Sequence, residues 1–260
     1  MAGAILRTMA IITTVAVFSA LWCRGPLKNW QCAQNLEQIG AALQTYAQHD
    51  KSGDYAPMSR TPGCLMFSPK ALGSEAMQKA PLLISYVHPH RSVLERRCTN
   101  ASLYVFDDNS YWYLGFAFAN ERSANEWLEA CKEAAQHREP VNDFEREARH
   151  GGSCEWRSKR AISSRLATGR WAGFRASNEI VYAHLKENIG DTLSPFDDGR
   201  EKEAYFKSII PVMVERPELH GNGGHVLYLD GHVEFVPYPG QFPMTQKFIE
   251  GLRSLDRLPN

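Results

Sequence analysis

Two apolar patterns near the N-terminus predict consecutive helices. Residues 9–23 contain no charged side chain, and as a helix they would measure roughly 22 Å, against about 30 Å for the hydrocarbon core of a bilayer. A span that starts at Ala2 is long enough to cross a membrane, with the charge of Arg7 among the headgroups and Trp22 at the interface. We therefore predict a membrane anchor within residues 1–27. A cleaved signal peptide with Arg7 as its basic region is the alternative.

The second pattern is an amphipathic helix over residues 30–49, separated from the first by Pro26. Its apolar side chains recur every three or four residues, at Leu36, Ile39, Gly40, Leu43, Tyr46 and Ala47. Side chains at this spacing form one stripe along a helix, and the stripe needs another surface, such as a sheet, to bury it.

Alternating positions predict strands further along the chain. Residues 110–119 interleave two apolar sets, Trp112, Leu114, Phe116 and Phe118 on one face and Tyr111, Tyr113, Gly115 and Ala117 on the other. We favour a strand buried on both faces over an exposed aromatic platform for a glycan. The remaining pattern predicts a helix at 123–137 opened by a capping box of Ser123 and Glu126, a strand at 179–186 and a helix at 201–210.

The clearest pattern is a β-hairpin formed by residues 225–229 and 232–236. Asp230-Gly231 lies between the two runs and predicts a two-residue turn, which would pair Val226 with Phe235. The resulting core face comprises Val226, Tyr228, Val233 and Phe235, and the opposite face carries His225, His232 and Glu234 among Leu227, Leu229 and Val236. That second face carries both polar and apolar side chains, so we expect another part of the protein to cover some of it.

Composition allows one large or two small globular units, because 43% of the 260 residues are hydrophobic and the chain has no formal net charge. We predict an α+β fold with one domain over residues 28–260. The six cysteines include no C-x-x-C pair, so a zinc-ribbon or thioredoxin-like motif is not supported. In an exported domain we would expect disulfides between Cys64 and Cys98 or between Cys131 and Cys154.

Residues 146–175 form the only charge asymmetry in the sequence. The segment carries eight basic residues and two acidic ones, together with Trp156 and Trp171. Basic and aromatic side chains together can bind nucleic acid or an anionic glycan. We favour a solvated basic insertion, because the whole chain is neutral and no nucleic-acid-binding motif accompanies the segment. No nucleic-acid partner is therefore expected.

The hairpin also contains the strongest candidates for a metal site. In the predicted register His225, His232 and Glu234 share one face and could converge on a metal, with His220 and Asp230 nearby. We favour exposed hairpin histidines, because Asp230 is needed in the turn and no general base is identifiable.

A second metal candidate is a loop with carboxylates suited to calcium, Asp191, Asp197 and Asp198, although an acidic turn is the simpler interpretation. No catalytic residue and no cofactor is predicted.

Two stretches of the chain resemble one known family. His220, nine residues and Asp230-Gly231 match the H-X9-DG signature of a prepilin-type, pseudopilin-like bacterial family, the DUF1559 type. "CAQNLEQIGAALQTYAQ", at residues 32–48, is similar to the helix that follows the membrane segment in that family. One departure is clear: the prepilin cleavage motif has a glutamate five residues after its glycine, whereas Thr8 follows Gly3 at that distance.

The resemblance implies a pilin-like fold, in which an N-terminal membrane and amphipathic helix packs on an antiparallel sheet. It also implies a single-pass protein of the cytoplasmic membrane with an extracytoplasmic domain and a structural or interaction role without catalysis. Other pilin-like subunits or envelope proteins would be its partners. The alternative is a metal-dependent hydrolase or a glycan-binding module that uses the hairpin histidines.

His220 itself has two interpretations. We predict a structural role, in which its two ring nitrogens satisfy buried backbone groups, because leaving such groups unpaired costs about 1 to 3 kcal/mol. The other interpretation makes it a metal ligand beside His225 or His232.

Overall fold

In the computed structural model, a four-stranded antiparallel sheet carries a long helix on one face. The structure describes residues 24–59, 64–66, 84–93, 109–118, 120–136, 182–186 and 200–256. Within them the elements are α1 (Arg24–His49), β1 (Tyr111–Tyr113), β2 (Phe116–Phe118), α2 (Glu121–Gln136), β3 (Tyr182–His184), α3 (Arg200–Ile209), β4 (Pro211–Glu215), a 3-10 turn (Pro217–Leu219), β5 (Gly223–Tyr228), β6 (Val233–Pro237) and α4 (Gln246–Asp256). The predicted α+β class is confirmed.

The sheet has the strand order β1-β4-β5-β6, and each neighbouring pair is antiparallel. Strands β2 and β3 form a separate two-stranded pair. Helix α1 packs on the face that carries Tyr111 and Leu227: Asn35 Nδ2 donates to the Tyr111 hydroxyl at 3.0 Å, and a Cβ on Gly40 would lie 2.8 Å from Leu227 Cδ1. Met244 lies against Gly224 on the opposite face, and α4 packs on α2.

Helix α1 confirms the predicted amphipathic helix and begins earlier than expected. Its stripe is buried, with Leu36, Ile39 and Leu43 fully inaccessible. The predicted start at residue 30, after Pro26, is wrong, because the helix already includes Pro26. No helix in the described ranges is long and apolar enough to cross a bilayer. The anchor predicted at 1–27 lies almost wholly outside those ranges.

The aromatic segment 110–119 forms two strands and not the single strand predicted. Gly115 has φ +66°, and the chain turns there from β1 in the large sheet to β2 in the small one. Glycine adopts this conformation at little steric cost. All residues from Tyr111 to Phe118 are buried, so the expectation that both faces are covered is confirmed. These aromatic rings are not an exposed platform.

The shorter helices follow the predicted pattern with shifted boundaries. Helix α2 begins earlier because Asn120, and not Ser123, caps it: Asn120 Oδ1 accepts from the Ser123 N–H at 2.9 Å. Helix α3 ends before Pro211, as predicted. Helix α4 was missed, although Phe248, Ile249, Leu252 and Leu255 recur at helical spacing and are fully buried.

The hairpin has a different register from the one predicted. Leu227 pairs with Val233, and His225 pairs with Phe235. The loop contains three residues, 229–231: the Tyr228 N–H donates to the His232 carbonyl at 3.0 Å, and the Gly231 N–H donates to the Tyr228 carbonyl at 2.9 Å. A three-residue loop ending on a glycine with positive φ is a common hairpin connection, and Gly231 has φ +94°.

This one-residue shift exchanges the sides of the pleat between the two strands. Val226 and Tyr228 no longer share a face with Val233 and Phe235, so the predicted core face is wrong. Asp230 stabilises the longer loop, because its Oδ1 accepts from the His232 N–H at 3.1 Å. Such an Asx-type contact competes with the two-residue turn that the dipeptide alone suggests.

Replacing Gly231 with valine is expected to lower the free energy of unfolding by more than about 1 kcal/mol, since a β-branched residue is strained at positive φ. A Cβ there would also lie 3.0 Å from Gln44 Nε2 on α1. Urea unfolding of the variant measures the effect. Glu234→Val, at an exposed position of β6, is the control for a valine in the same hairpin, and an equal loss in both variants would contradict this turn.

Three sequence predictions lie outside the described residues. The basic insertion at 146–175, the carboxylates Asp191, Asp197 and Asp198, and the cysteines Cys98 and Cys154 all belong to this group. The two disulfide pairings therefore stay predictions.

Candidate functional site

A fully buried carboxylate, Glu215, lies at the end of β4 and is surrounded by donors. Its Oε2 accepts from His225 Nδ1 at 2.6 Å, from the His225 backbone N–H at 3.1 Å and from His220 Nε2 at 2.9 Å. Its Oε1 accepts from the Ser85 hydroxyl at 2.6 Å. A carboxylate this deep in the protein is tolerated only with such compensation. We call Cys32, Ser85, Glu215, His220 and His225 the Glu215 cluster.

Local chain geometry brings both histidines to Glu215. Strands β4 and β5 pair Val214 with Val226, so the next residues outward, Glu215 and His225, face each other. His220 returns to the same point through the 3-10 turn, followed by Gly221 at φ +79°. The His220 side chain is 4% exposed and Glu215 is 0% exposed.

Helix α1 and a loop complete the cluster from the other side. Cys32 Sγ lies 3.2 Å from Ser85 Oγ. Because the Ser85 proton is donated to Glu215, the Cys32 thiol is the donor in this contact. The Cys32 sulfur also lies within 4.8 Å of a ring nitrogen of His220. One turn further along α1, Asn35 Nδ2 donates to the hydroxyl of Tyr111 on β1, so a polar contact connects the helix directly to the sheet.

The electrostatics of the cluster favour an ion pair. Burial by itself raises the pKa of Glu215, but hydrogen bonds from His220 and His225 and the charge of His220 outweigh it and lower that pKa to about 2. Burial likewise disfavours a charged His220, but the neighbouring Cys32 and Glu215 side chains raise its pKa to about 9. At neutral pH Glu215 is therefore ionised and His220 is protonated.

Aromatic rings close the cluster on its outer side. The imidazoles of His220 and His225 meet edge to face with centroids 5.1 Å apart. The Phe235 ring packs against both, at 5.8 Å and 5.1 Å. This apolar cover limits the access of water, so the hydrogen bonds beneath it act in a low dielectric and are strengthened.

In metal-free buffer, the contribution of this cluster to the free energy of unfolding is expected to be greatest between about pH 4.5 and pH 6.5. The His220 pKa is raised on folding, so its contribution is complete below about pH 6.5 and is lost as pH rises through 9. The Glu215 pKa is lowered on folding, so its contribution is present above about pH 4.5 and is lost as pH falls toward 2.

Urea unfolding at a series of pH values measures this dependence. In His220→Gln the loss of stability on the alkaline side should become shallower than in the wild type. An unchanged alkaline slope in that variant would contradict a protonated His220.

The hairpin candidates for a metal site are not brought together. His225 lies on the side of the pleat that faces α1, whereas His232 and Glu234 lie on the other side, because of the one-residue shift in register. His232 is exposed, and its Nδ1 donates to Asp230 Oδ1 at 2.6 Å. Glu234 is also exposed.

His220 does lie in a buried contact, with one difference from our expectation. Its Nε2 donates to a side-chain carboxylate and not to a backbone group. Glu215, Cys32 and Ser85 were missed at the sequence level. Glu215 left a signal, since it is a charged residue directly after the apolar run 209–214. Cys32 and Ser85 left none, because their role depends on contacts with residues 53 to 130 positions away.

Together the fold and the cluster define an α+β protein whose amphipathic helix lies on an antiparallel sheet, beside a buried carboxylate-histidine pair. No protein-family model, curated protein or solved structure matches the chain. Cys32, Glu215 and His220 are also residue types that bind metals, and their ligand atoms all lie within 4.8 Å of one another.

Proposed function

We propose that the chain is a membrane-anchored, extracytoplasmic protein of pilin-like or pseudopilin-like architecture, with a structural or interaction role and no catalysis. The observation that carries the proposal is a contact between the two stretches behind the family resemblance. The sulfur of Cys32, in the helical stretch, lies within 4.8 Å of a ring nitrogen of His220 in the H-X9-DG signature. About three turns further along α1, Gln44 Nε2 donates to the Leu229 carbonyl in the hairpin loop at 3.5 Å.

The spacing within the signature gives these contacts a physical meaning. Cys32 and Gln44 are separated by about 18 Å along the helix, and the segment from His220 to Gly231 spans the same distance beside it. One end of the signature contributes a buried ion pair, and the other contributes a glycine that leaves room for Gln44. Both ends therefore lie against the same helix, which supports an architectural role for the signature.

The hydrogen bonding of the Glu215 cluster also favours architecture over the hydrolase alternative. Glu215 accepts from Ser85, His220 and His225 at once, and Phe235 covers the histidines. A general base in a hydrolase must reach substrate or water, whereas this carboxylate is directed entirely at other protein groups. Other pilin-like subunits or envelope proteins are the partners that the proposal implies.

Replacing Val15 with arginine tests the membrane anchor. A charge at the centre of an inserted helix costs about 2.5 to 3.5 kcal/mol on insertion scales. We expect the variant to be lost from the membrane fraction, or to fail in export, when the full chain is expressed in bacteria. Fractionation and immunoblotting measure the distribution.

The matched control is Val93→Arg, which places the same charge on a side chain already 41% exposed. It should fractionate as the wild type does.

Protease added outside the cytoplasmic membrane should digest the domain at 28–260 in the wild type. Unchanged fractionation of Val15→Arg, or protection of the domain from external protease, would contradict the proposal.

A further inference from the structure

The Glu215 cluster contains three side chains that suit a transition metal. Cys32 offers a sulfur, Glu215 an oxygen and His220 a ring nitrogen, and these atoms all lie within 4.8 Å of one another. In a tetrahedral zinc site, metal–ligand distances of about 2.0 to 2.3 Å place neighbouring ligand atoms about 3.4 to 3.6 Å apart. Side-chain movements on the order of 1 Å would therefore bring all three atoms to a common metal.

We propose that Cys32, Glu215 and His220 bind one divalent transition-metal ion of the zinc type. This site is distinct from the hairpin set of His225, His232 and Glu234, and it does not depend on whether the chain is anchored in a membrane. Mixed sulfur, nitrogen and oxygen ligands select zinc or cobalt(II) over magnesium or calcium, which require oxygen ligands.

Charge balance supports a divalent ion in this position. A thiolate and a carboxylate together supply two negative charges, and a neutral imidazole adds none, so a bound divalent cation leaves the site neutral. An uncompensated charge would be costly here, because Cys32 and Glu215 are 0% exposed. The bound metal would take the place of the hydrogen bond that His220 now donates to Glu215.

The surrounding groups already have the form of an outer ligand shell. Ser85 donates to Glu215 Oε1 and lies against the Cys32 sulfur. His225 donates to Oε2 through both its backbone N–H and Nδ1. Such partners orient the ligands of metal sites, and removing one commonly lowers metal affinity about 10- to 100-fold.

The three ligands come from different parts of the fold. Cys32 lies on α1, Glu215 ends β4, and His220 follows the 3-10 turn. A metal bound by all three would therefore cross-link the helix to the sheet. Because such an ion binds the folded chain and not the unfolded chain, it would raise the melting temperature.

Titration of the chelator-treated full chain with cobalt(II), in detergent where required, tests the site. We expect one equivalent to produce a thiolate-to-cobalt charge-transfer absorption that added zinc removes. Cys32→Ser should abolish this absorption, and His220→Gln should weaken cobalt binding by more than about 100-fold. His232→Gln is the matched control, an exposed histidine that also contacts a carboxylate, and it should bind as the wild type does.

Three results would overturn the proposal: no charge-transfer absorption in the wild type, an absorption that survives in Cys32→Ser, or equal weakening in His232→Gln. A measurement without substitutions covers the case in which the variants do not fold. In the fully reduced wild type, zinc should slow the alkylation of Cys32, read residue by residue by mass spectrometry, relative to Cys131, which is also buried. Equal alkylation of Cys32 with and without zinc would also overturn the proposal.

Discussion

Replacing Glu215 with glutamine is expected to lower the free energy of unfolding by about 3 kcal/mol or more. Removing one partner of a buried ion pair leaves the other charge uncompensated, and measured losses are about 3 to 5 kcal/mol. A glutamine presents an amide NH₂ where one carboxylate oxygen now accepts, so it cannot accept from Ser85, His220 and His225 together. Urea unfolding near pH 6 in metal-free buffer measures the loss.

Glu218→Gln is the matched control, because it makes the same chemical change three residues away. Glu218 is 47% exposed and pairs with Arg253, and exposed pairs contribute about 0 to 1 kcal/mol. Two variants with equal stability would show that the buried ion pair at Glu215 does not stabilise the fold.

Replacing Gly224 with alanine is expected to cost about 2 to 3 kcal/mol, toward the upper end of the usual range for overpacking. The added Cβ would lie 2.7 Å from the Glu215 backbone oxygen and 3.0 Å from Met244 Cε. The methionine can rotate away, but the backbone oxygen belongs to the paired strand β4 and cannot move without separating the strands. Thermal and urea unfolding of the variant measure the loss.

The control for this substitution is Gly221→Ala, which adds the same methyl group where nothing lies within 4 Å. Gly221 has φ +79°, so alanine there meets backbone strain of about 1 to 2 kcal/mol and no clash. A loss in Gly224→Ala no larger than that in Gly221→Ala would contradict the close approach of β5 to Glu215.

Helices and strands that are specified by residues close together in the chain could be predicted from the sequence. The apolar stripe from Leu36 to Ala47 predicts α1 because residues three and four apart lie on one side of any helix. Pro211 predicts the end of α3 because proline disfavours helical backbone in the residue before it. The existence of the hairpin followed in the same way from two apolar runs around a turn dipeptide.

The register of the hairpin could not be predicted from the same residues. Asp-Gly is compatible with a loop of two residues or of three, and the choice rests on contacts that local pattern does not specify. Asp230 bonding to His232 and Gly231 meeting Gln44 of α1 both favour the longer loop. A difference of one residue then decided which histidines face the helix, because side chains alternate along a strand.

The sequence by itself therefore determined helices α1, α2 and α3, the presence of the hairpin and the α+β class. Only the tertiary structure decided that Cys32, Ser85 and Glu215 meet His220. Cys32 and Ser85 are 53 positions apart, and Ser85 and Glu215 are 130 positions apart, and hydrogen bonds over such separations leave no periodic trace in the chain. The physical reason is that a buried carboxylate is stable only where the fold supplies donors, so the site and the packing of α1 on the sheet form together.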